Sequence, residues 1–288
     1  MRHLRSFYSA ISCRNASRGY IRISDGRVLF FDVLDLHAYE MILPQLVHYD
    51  NELLLSQTLI QPGGVFVDIG ANVGVLSLFA LTESVKAVHS FEPNSSMVSH
   101  LKRTRATNPL AERWYIHESA VGSSVGYLTL NVNSEYSGTT SFNDKWAGDN
   151  DHAVQVPMTT LDHWCKEEEI TSVDAIKIDV EGWEFEVMLG ASETVEANKP
   201  YIWFEHNLPA LRQSGQDPNQ ILNRLQEFGY DTFADIGQLP LCQAWSRHEL
   251  NELRDRRINI LAIPQERSID FSTRVLAQIQ RMNESVQR

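Results

Sequence analysis

The chain has 288 residues, a formal net charge of −12 at pH 7 and an apolar content of 43%. Such a length and composition fit one large soluble domain with a sizeable core and exclude disorder as the main state. The negative charge disfavours nucleic-acid partners, which bind basic stripes. No run reaches the roughly 20 apolar residues that span a bilayer, so we expect no integral membrane association.

The cysteines and the N-terminal stretch give information on the cellular compartment of the protein. Cys13, Cys165 and Cys242 are odd in number and far apart. They form neither a disulfide framework nor a Cys-x-x-Cys pair, which is typical of a reducing compartment and predicts a cytoplasmic protein. The stretch before Asp25 is basic and free of acids, so it is either an ordinary arm or a transit peptide, and it lacks the apolar region of a secretory signal.

From about residue 61, short apolar strands alternate with helical periodicity. The predicted strands are Val65–Ile69, Ala87–Phe91, Trp114–His117, Ala175–Val180, Tyr201–Glu205, Asp231–Ile236 and Asn259–Ile263. The predicted helices are Val75–Thr82, a helix capped by Ser95, Gly182–Asn198, and one from Asp217-Pro218 through Phe228. This alternation predicts an α/β fold with a mostly parallel sheet and helices on both of its faces.

The hydrophobic pattern changes between the third and fourth strands. Tyr127–Val132 and Val154–Met158 alternate apolar and polar residues, as the strands of a hairpin do, and a polar tip at 133–151 joins them. We therefore expect an inserted β-hairpin at about 123–160, opening near the strand ends where such sheets bind ligands.

These patterns divide the chain into three parts. Residues 1–60 form a segment that we expect to contribute to the cover over substrate and cofactor, residues 61–265 form the core, and 266–288 form a C-terminal helix. That helix would carry Val275, Ile279 and Met282 on one side.

The sharpest local signal is the strand-to-helix turn Asp-Ile-Gly-Ala-Asn-Val-Gly, which runs from Asp68 to Gly74. Gly70 allows a tight turn and close approach of a ligand, and Gly74 allows close helix packing. Asp68, at the strand end, suits a positively charged ammonium group. A dinucleotide fingerprint requires glycine where this chain has Asn72 and Val75, which argues against an NAD-dependent oxidoreductase, the alternative of the same fold.

Acidic side chains also follow the next two strands. Glu92, 22 residues after Gly70, can accept both hydrogen bonds from a ribose diol, or it can cap the following helix. Glu118 and Ser119 follow the third strand, where they would line one side of an adenine pocket. Glu118 can accept from the exocyclic amine of adenine or be an ordinary surface glutamate.

An ammonium-binding acid, a ribose-binding acid and an adenine slot together describe a site for S-adenosylmethionine. Five stretches, in order over about residues 49–264, resemble the FkbM family of S-adenosylmethionine-dependent methyltransferases. They are Val67–Gly74, Phe91–Asn94, Val156–Asp162, Lys177–Gly182 and Leu261–Pro264. The resemblance implies a Rossmann-like methyltransferase sheet of seven strands with the last antiparallel, and O-methylation of sugar hydroxyls in glycans or glycosylated natural products.

Charged residues mark the acceptor side of the predicted sheet edge. Lys177, Asp179 and Glu181 alternate along the fourth strand and its exit, so they share one face or rim. Charges in a buried strand are expensive unless they are paired or functional. Either Lys177 and Asp179 form a structural ion pair, or Asp179 and Glu181 lie beside the reactive methyl group.

Glu205 and His206 come at the end of the fifth strand, at the same edge. Histidine is the usual general base near neutral pH, although a histidine after a strand is as often structural. The candidates for removing the acceptor proton are thus Asp179, Glu181, Glu205 and His206. A carboxylate cluster of this kind can instead hold Mg²⁺, but the sequence does not require a metal.

Two other classes of function fit the sequence less well. A nucleic-acid methyltransferase would carry an Asn/Asp-Pro-Pro-aromatic run after the fourth strand, where this chain has Val180-Glu181-Gly182-Trp183. A catalytically inactive cofactor-binding protein would be expected to lack one of Asp68, Glu92 and Asp179, and all three are present.

The acceptor is expected to be a small molecule or a glycan. Its selectivity would come from residues 1–60 and from the tip at 133–151, where Tyr136–Ser141 resembles a polar loop of the same family. That loop either covers the substrate or is a solvated turn. Tyr136, Trp146 and Trp183 can stack on sugar faces or serve in packing.

Overall fold

The structure of the chain is a computed structural model. It describes residues 11–15, 18–23, 25–43, 46, 51–133, 137, 151–208, 211–212, 215–236, 244–245, 257–271 and 273–274.

A central sheet organises the molecule. Its strands are β4 (Val65–Ile69), β5 (Ala87–Phe91), β6 (Trp114–His117), β10 (Ala175–Ile178), β11 (Tyr201–Asn207), β12 (Tyr230–Asp235), β13 (Ala244–Trp245) and β14 (Arg257–Pro264). Their order is β6-β5-β4-β10-β11-β14-β12-β13. The pairs from β6 to β11 are parallel, whereas β14 runs antiparallel to both of its neighbours. The predicted mostly parallel sheet with an antiparallel last strand is confirmed, and the two-residue β13 adds an edge to the seven expected strands.

Helices cover both faces of this sheet, as predicted. They are α1 (Asn51–Thr58), α2 (Val75–Ala80), α3 (Ser95–Thr107), α4 (Leu161–Glu167), α5 (Glu184–Leu189), α6 (Ser192–Asn198) and α7 (Gln220–Glu227). Buried side chains of α1, α2 and α3 share one apolar cluster with Phe66 and Trp203, and those of α4 to α7 share another with Val67 and Phe204. The alternation of strand side chains between the two faces explains this division.

The described part of residues 1–60 packs directly on the core. It forms an antiparallel sheet of β1 (Ile11–Asn15), β2 (Arg18–Arg22) and β3 (Val28–Phe31). The side chain of Asn108, after α3, accepts from the Val28 amide at 2.7 Å and donates to the Val28 carbonyl at 2.6 Å. Leu29 and Phe31 are buried in the cluster on that face of the central sheet.

The predicted inserted hairpin is present and longer than expected. Strands β8 (Gly126–Asn133) and β9 (Asp151–Thr159) pair antiparallel, and the short strand β7 (Ala120–Val121) adds to β9 in parallel. Within the tip, the structure describes Ser137, whereas Tyr136 and Trp146 lie outside the described residues. Trp183 packs at the edge of an apolar cluster.

Two local predictions differ from the structure. The stretch Gly182–Asn198 is not one helix, because α5 ends at Leu189 and α6 begins at Ser192. At the break, Gly190 lies so close to the backbone carbonyl of Gly122 that a Cβ would overlap it. The prediction that Ser95 caps α3 is also wrong, since Asn94 is the cap and its side chain accepts from the Ser96 amide at 3.0 Å.

At the C-terminal end, a 3₁₀ turn at Gln265–Arg267 leads into helical residues at 268–271 and 273–274. The predicted apolar positions Val275, Ile279 and Met282 lie outside the described residues. Among the helices that the structure does describe, none has the length and apolar character needed to cross a membrane.

Candidate functional site

The glycine turn after β4 sits between the exits of two neighbouring strands. Gly70 has a φ of +80°, and the amides of Gly70 and Ala71 both donate to the Phe91 carbonyl at 3.0 Å. On the other side, the Asp179 amide donates to the Ile69 carbonyl at 3.0 Å, and a Cβ on Gly70 would overlap the Asp179 carbonyl oxygen. Only glycine fits both the backbone conformation and the space.

Glu92 lies directly beside this turn. One of its carboxylate oxygens accepts from the Asn72 amide and the other from the Asn94 amide, both at 2.8 Å, and the residue is 7% exposed. Burial raises the pKa of Glu92 to about 7, against the effect of these two amide donors. Each carboxylate oxygen can accept a second hydrogen bond, so Glu92 keeps the capacity to bind a diol.

Asp68 is placed beneath the turn rather than at its surface. The residue is 1% exposed, and its carboxylate accepts from the Ser77 hydroxyl at 2.6 Å. Ser77 in turn is 2.6 Å from the hydroxyl of Ser90, which accepts from the Trp114 indole at 2.7 Å. Burial raises the pKa of Asp68, with the nearby Lys177 charge opposing it. Asp68 is therefore part of a hydrogen-bonded chain inside the protein.

Lys177 connects that interior to the sheet edge. Its ammonium group, itself buried, donates to a carboxylate oxygen of Asp179 at 2.6 Å, so the ion pair considered from the sequence exists. Burial works against the charged form, but the charges of Asp179, Glu52 and Asp68 raise the pKa of Lys177. Lys177 stays protonated and fixes the orientation of the Asp179 carboxylate.

Three carboxylates converge at the edge. Oxygens of Asp179, Glu181 and Glu205 lie within 4.8 Å of one another, and Glu205 is buried whereas the other two are partly exposed. Carboxylate oxygens can take up the proton of a hydroxyl, and they are also the ligands that hard divalent cations prefer. The structure thus brings together three of the four residues predicted for the acceptor side.

A fourth acid shapes this cluster. Glu181 and Gly182 have φ values of +49° and +92°, and one carboxylate oxygen of Glu184 accepts from the amides of Gly182 and Val180 at 3.1 and 3.3 Å. Burial raises the pKa of Glu184 to about 7, and the charges of Glu205 and Asp179 add to the rise. Sequence reasoning missed Glu184, although an acid two residues after the glycine of a strand exit was a visible signal.

The structure does not bring His206 together with the three carboxylates. Along β11, His206 and Glu205 point to opposite faces of the sheet. His206 shares its face with Phe204, whose ring it meets edge-on at 6.2 Å, and it is 4% exposed. Burial lowers the pKa of His206 to about 4, so its ring is neutral at physiological pH.

Three further predicted residues have different surroundings. Glu118 is exposed and pairs with Lys102 at 3.0 Å, a hydrogen bond that lowers the pKa of Glu118, while Ser119 beside it is half-buried. Gly74 begins α2 with a φ of +86°, and a Cβ there would meet side chains of the neighbouring α3 and β6. Gly74 thus serves packing, as its place in the motif predicts.

Sequence reasoning also missed Glu52, a buried residue of α1 whose charge acts on Lys177. The two residues are far apart in the chain, so no local pattern connects them. Together these acids give the sheet edge a surplus of negative charge around one buried lysine.

A mostly parallel sheet with a glycine turn after its first core strand and an acid after the next defines a Rossmann-like fold, in which cofactors bind at the carboxyl ends of the strands. The chain belongs to the FkbM methyltransferase family: the model of the methyltransferase FkbM domain matches residues 68–232, more than half of the sequence. No curated protein matches the sequence.

Several solved structures are similar to this chain. The methyltransferase FkbM from Methylobacillus flagellatus KT is 12% identical with a TM-score of 0.43, and the match covers 80% of this chain and 55% of that one. A SAM-dependent O-methyltransferase from Thermotoga maritima is 15% identical with a TM-score of 0.44, covering 85% and 77%. A precorrin-6y C5,15-methyltransferase from Geobacter metallireducens GS-15 is 13% identical with a TM-score of 0.41, covering 75% and 87%. The chain thus spans about half the length of the Methylobacillus protein.

The predicted cofactor, S-adenosylmethionine, is confirmed by the family. The donor set of the site fits this molecule. A buried carboxylate with spare acceptor capacity suits a ribose diol, and an acidic edge suits a cation.

Proposed function

We propose that this methyltransferase transfers a methyl group to a hydroxyl of a sugar, a glycan or a glycosylated natural product. The observation that carries the proposal is the convergence of Asp179, Glu181 and Glu205 at the strand exit that also packs against Gly70. It supports a reaction in which a hydroxyl must lose a proton beside the cofactor turn.

In this proposal Glu92 binds the ribose of the cofactor, and Gly70 and Asn72 lie along it. Asp68 is buried, hydrogen-bonded to Ser77 and close to the charge of Lys177, so it would act on the cofactor from beneath the turn and not by direct contact. The negative charge of the edge stabilises a cationic ligand. When bound, S-adenosylmethionine supplies a methyl group on a positively charged sulfur.

The acceptor hydroxyl is held and deprotonated by the chain's own carboxylates. Alignment of the acceptor oxygen with the methyl group can supply about 7–11 kcal/mol of the barrier. Proton removal by a positioned base adds roughly 10²- to 10⁴-fold. Asp179 is our first candidate for this base because Lys177 fixes its geometry, with Glu205 and Glu181 beside it.

The acidic edge also bears on the class of acceptor and on location. A cluster of carboxylates repels polyanions, so we propose a neutral hydroxyl-bearing acceptor rather than a nucleic acid. The small number of separated cysteines supports a cytoplasmic location.

Methyl transfer from labelled S-adenosylmethionine into fractionated glycans, lipids and small metabolites tests the proposal. We expect label in a carbohydrate fraction that resists mild base, as a methyl ether does and a methyl ester does not. Parallel reactions with EDTA and with added Mg²⁺ separate a purely carboxylate site from one that holds a cation. Label confined to nucleic acid, or to base-labile esters, would contradict the proposed acceptor.

Glu92 makes cofactor binding depend on pH. Its pKa of about 7 in the free protein means that it is largely protonated at pH 6, whereas a ribose diol donates best to the ionised carboxylate. Binding therefore releases a proton below pH 7, and affinity for S-adenosylhomocysteine should rise up to about tenfold per pH unit between pH 5.5 and 7. Calorimetric titrations in buffers of different ionisation enthalpy measure both effects.

The matched variants are Glu92→Gln and Glu227→Gln. The first should bind more weakly and lose the pH dependence, because no carboxylate is left to ionise. The second changes an exposed glutamate of α7, outside the candidate site, and should keep the wild-type profile. If Glu92→Gln binds S-adenosylhomocysteine as tightly as wild type at every pH, Glu92 is excluded from the cofactor site.

A further inference from the structure

Three distant parts of the chain meet at the cofactor turn. The hydroxyl of Ser137, in the tip of the insertion, accepts from the Asn72 side-chain amide at 3.1 Å and lies 3.2 Å from Nδ1 of His37. The Ser137 amide donates to Asp35 at 3.0 Å, and the same Asp35 oxygen accepts from the His37 amide at 3.0 Å. We call this set, Asp35, His37, Ser137 and Asn72, the Ser137 junction.

The junction is well buried for a contact made by surface segments. Asp35 is 5% and Ser137 is 7% exposed. A buried hydroxyl or carboxylate is costly unless it is hydrogen-bonded, and here each has at least two partners. The contact is therefore a specific one.

Asn72 links the junction to the cofactor site. Its backbone amide donates to Glu92, its side-chain oxygen accepts from the Val73 amide at 2.8 Å, and its side-chain nitrogen donates to Ser137. Asn72 also has a φ of +51°, a left-handed conformation that asparagine adopts when its short polar side chain is hydrogen-bonded. The bond to Ser137 therefore helps to fix the conformation of Asn72.

We propose that Ser137, held by Asp35 and His37, is a positioning residue of the cofactor site that sets cofactor affinity through Asn72. The proposal rests on the placement of the cofactor at Glu92 and Gly70 given above. It follows that the insertion and the N-terminal segment are coupled to cofactor binding. Coupling of this kind is reciprocal, so the cofactor strengthens the Ser137 contact by the same factor by which the contact strengthens binding.

The first test is the dissociation constant of S-adenosylhomocysteine, measured by calorimetry on the full chain. Loss of one buried hydrogen bond predicts that Ser137→Ala binds about five- to tenfold more weakly than wild type. Ser137→Thr keeps the hydroxyl and should recover most of the affinity. Ser84→Ala, which removes an exposed hydroxyl bonded to Thr82, is the matched control and should bind as wild type does.

The second test measures the reverse direction of the coupling. Hydrogen exchange of the Ser137 and His37 amides, both of which donate to Asp35, should slow when wild type is saturated with S-adenosylhomocysteine. In Ser137→Ala the slowing at His37 should shrink by the factor lost in affinity. A residue that only stabilised the fold would change the unfolding midpoint without changing this ligand-dependent difference.

The outcomes separate the two proposals. If wild type binds S-adenosylhomocysteine and Ser137→Ala binds it equally well, the role of Ser137 is wrong and the proposed function stands. If wild type shows pH-independent binding that Glu92→Gln does not weaken, the placement of the cofactor fails, and the inference about Ser137 fails with it.

Discussion

Asp179→Asn is expected to bind S-adenosylhomocysteine within about threefold of wild type and to lose roughly 10²- to 10⁴-fold in methyl transfer. The asparagine keeps an oxygen that can accept from Lys177, so the geometry of the strand exit is preserved. What it loses is the ability to take up a proton. The effect should therefore fall on kcat rather than on cofactor binding.

The measurement is a comparison of kcat and of cofactor affinity with the acceptor found by labelled transfer. Asp231→Asn, on the exposed face of β12, is the matched control and should leave both unchanged. If Asp179→Asn retains wild-type turnover, the base is another of the three carboxylates, and Glu205→Gln is then expected to show the loss.

Gly70→Ala is expected to cause the largest loss of stability of any change at the turn. A φ of +80° costs an alanine about 1–3 kcal/mol. The added Cβ also overlaps the Asp179 carbonyl oxygen, and fitting an extra carbon into a packed site costs about another 1–3 kcal/mol of stability. Relief of the overlap must move the exit of β10, which carries Asp179.

Gly229→Ala separates these two costs. Gly229 has a φ of +82°, nearly the same as that of Gly70, but nothing lies within 4 Å of the position that a Cβ would take there. Urea unfolding should therefore show a smaller loss for Gly229→Ala, and S-adenosylhomocysteine binding should survive in that variant alone. Equal losses in the two variants would mean that the packing of Gly70 against β10 contributes nothing.

The strands that carry the site could be predicted from the sequence. β4, β5 and β6 have their predicted bounds because each is a short apolar run closed by glycine, proline or charged residues. The carboxyl ends of parallel strands meet at one edge, so the acids that follow them were expected to converge. For Asp179, Glu181 and Glu205 the structure gives that convergence.

The depth of each side chain could not be predicted in the same way. Asp68 and His206 stand at strand ends just as Glu92 and Glu205 do, yet one lies under the turn and the other points to the opposite face. A shift of one residue along a strand reverses the face, and the sequence alone does not fix where each strand ends. β11 runs two residues beyond its predicted end.

Long-range partners were also outside the reach of local patterns. Glu52, one of the acids that balance Lys177, comes from α1, and two partners of Ser137, Asp35 and His37, come from the N-terminal segment. Such contacts depend on how the whole chain packs. The break at Gly190 has the same origin, because the Asp162 amide donates to the Gly190 carbonyl and the Asp162 carboxylate accepts from the Thr194 amide, which replaces the bond of a continuous helix.

The packing of the described part of residues 1–60 limits how far the family-matched stretch can act as a separate module. The family match begins at Asp68, but residues before it are hydrogen-bonded to the matched part. The Val28 amide of β3 donates to Asn108 after α3, and Arg27 donates to the Leu78 carbonyl. Glu52 and its apolar neighbours in α1 cover the face of the sheet that contains Lys177. A chimera that exchanged only the family-matched stretch between relatives would pack that face against the N-terminal segment of a different protein, so the transferable unit must include the strands and helix that precede it.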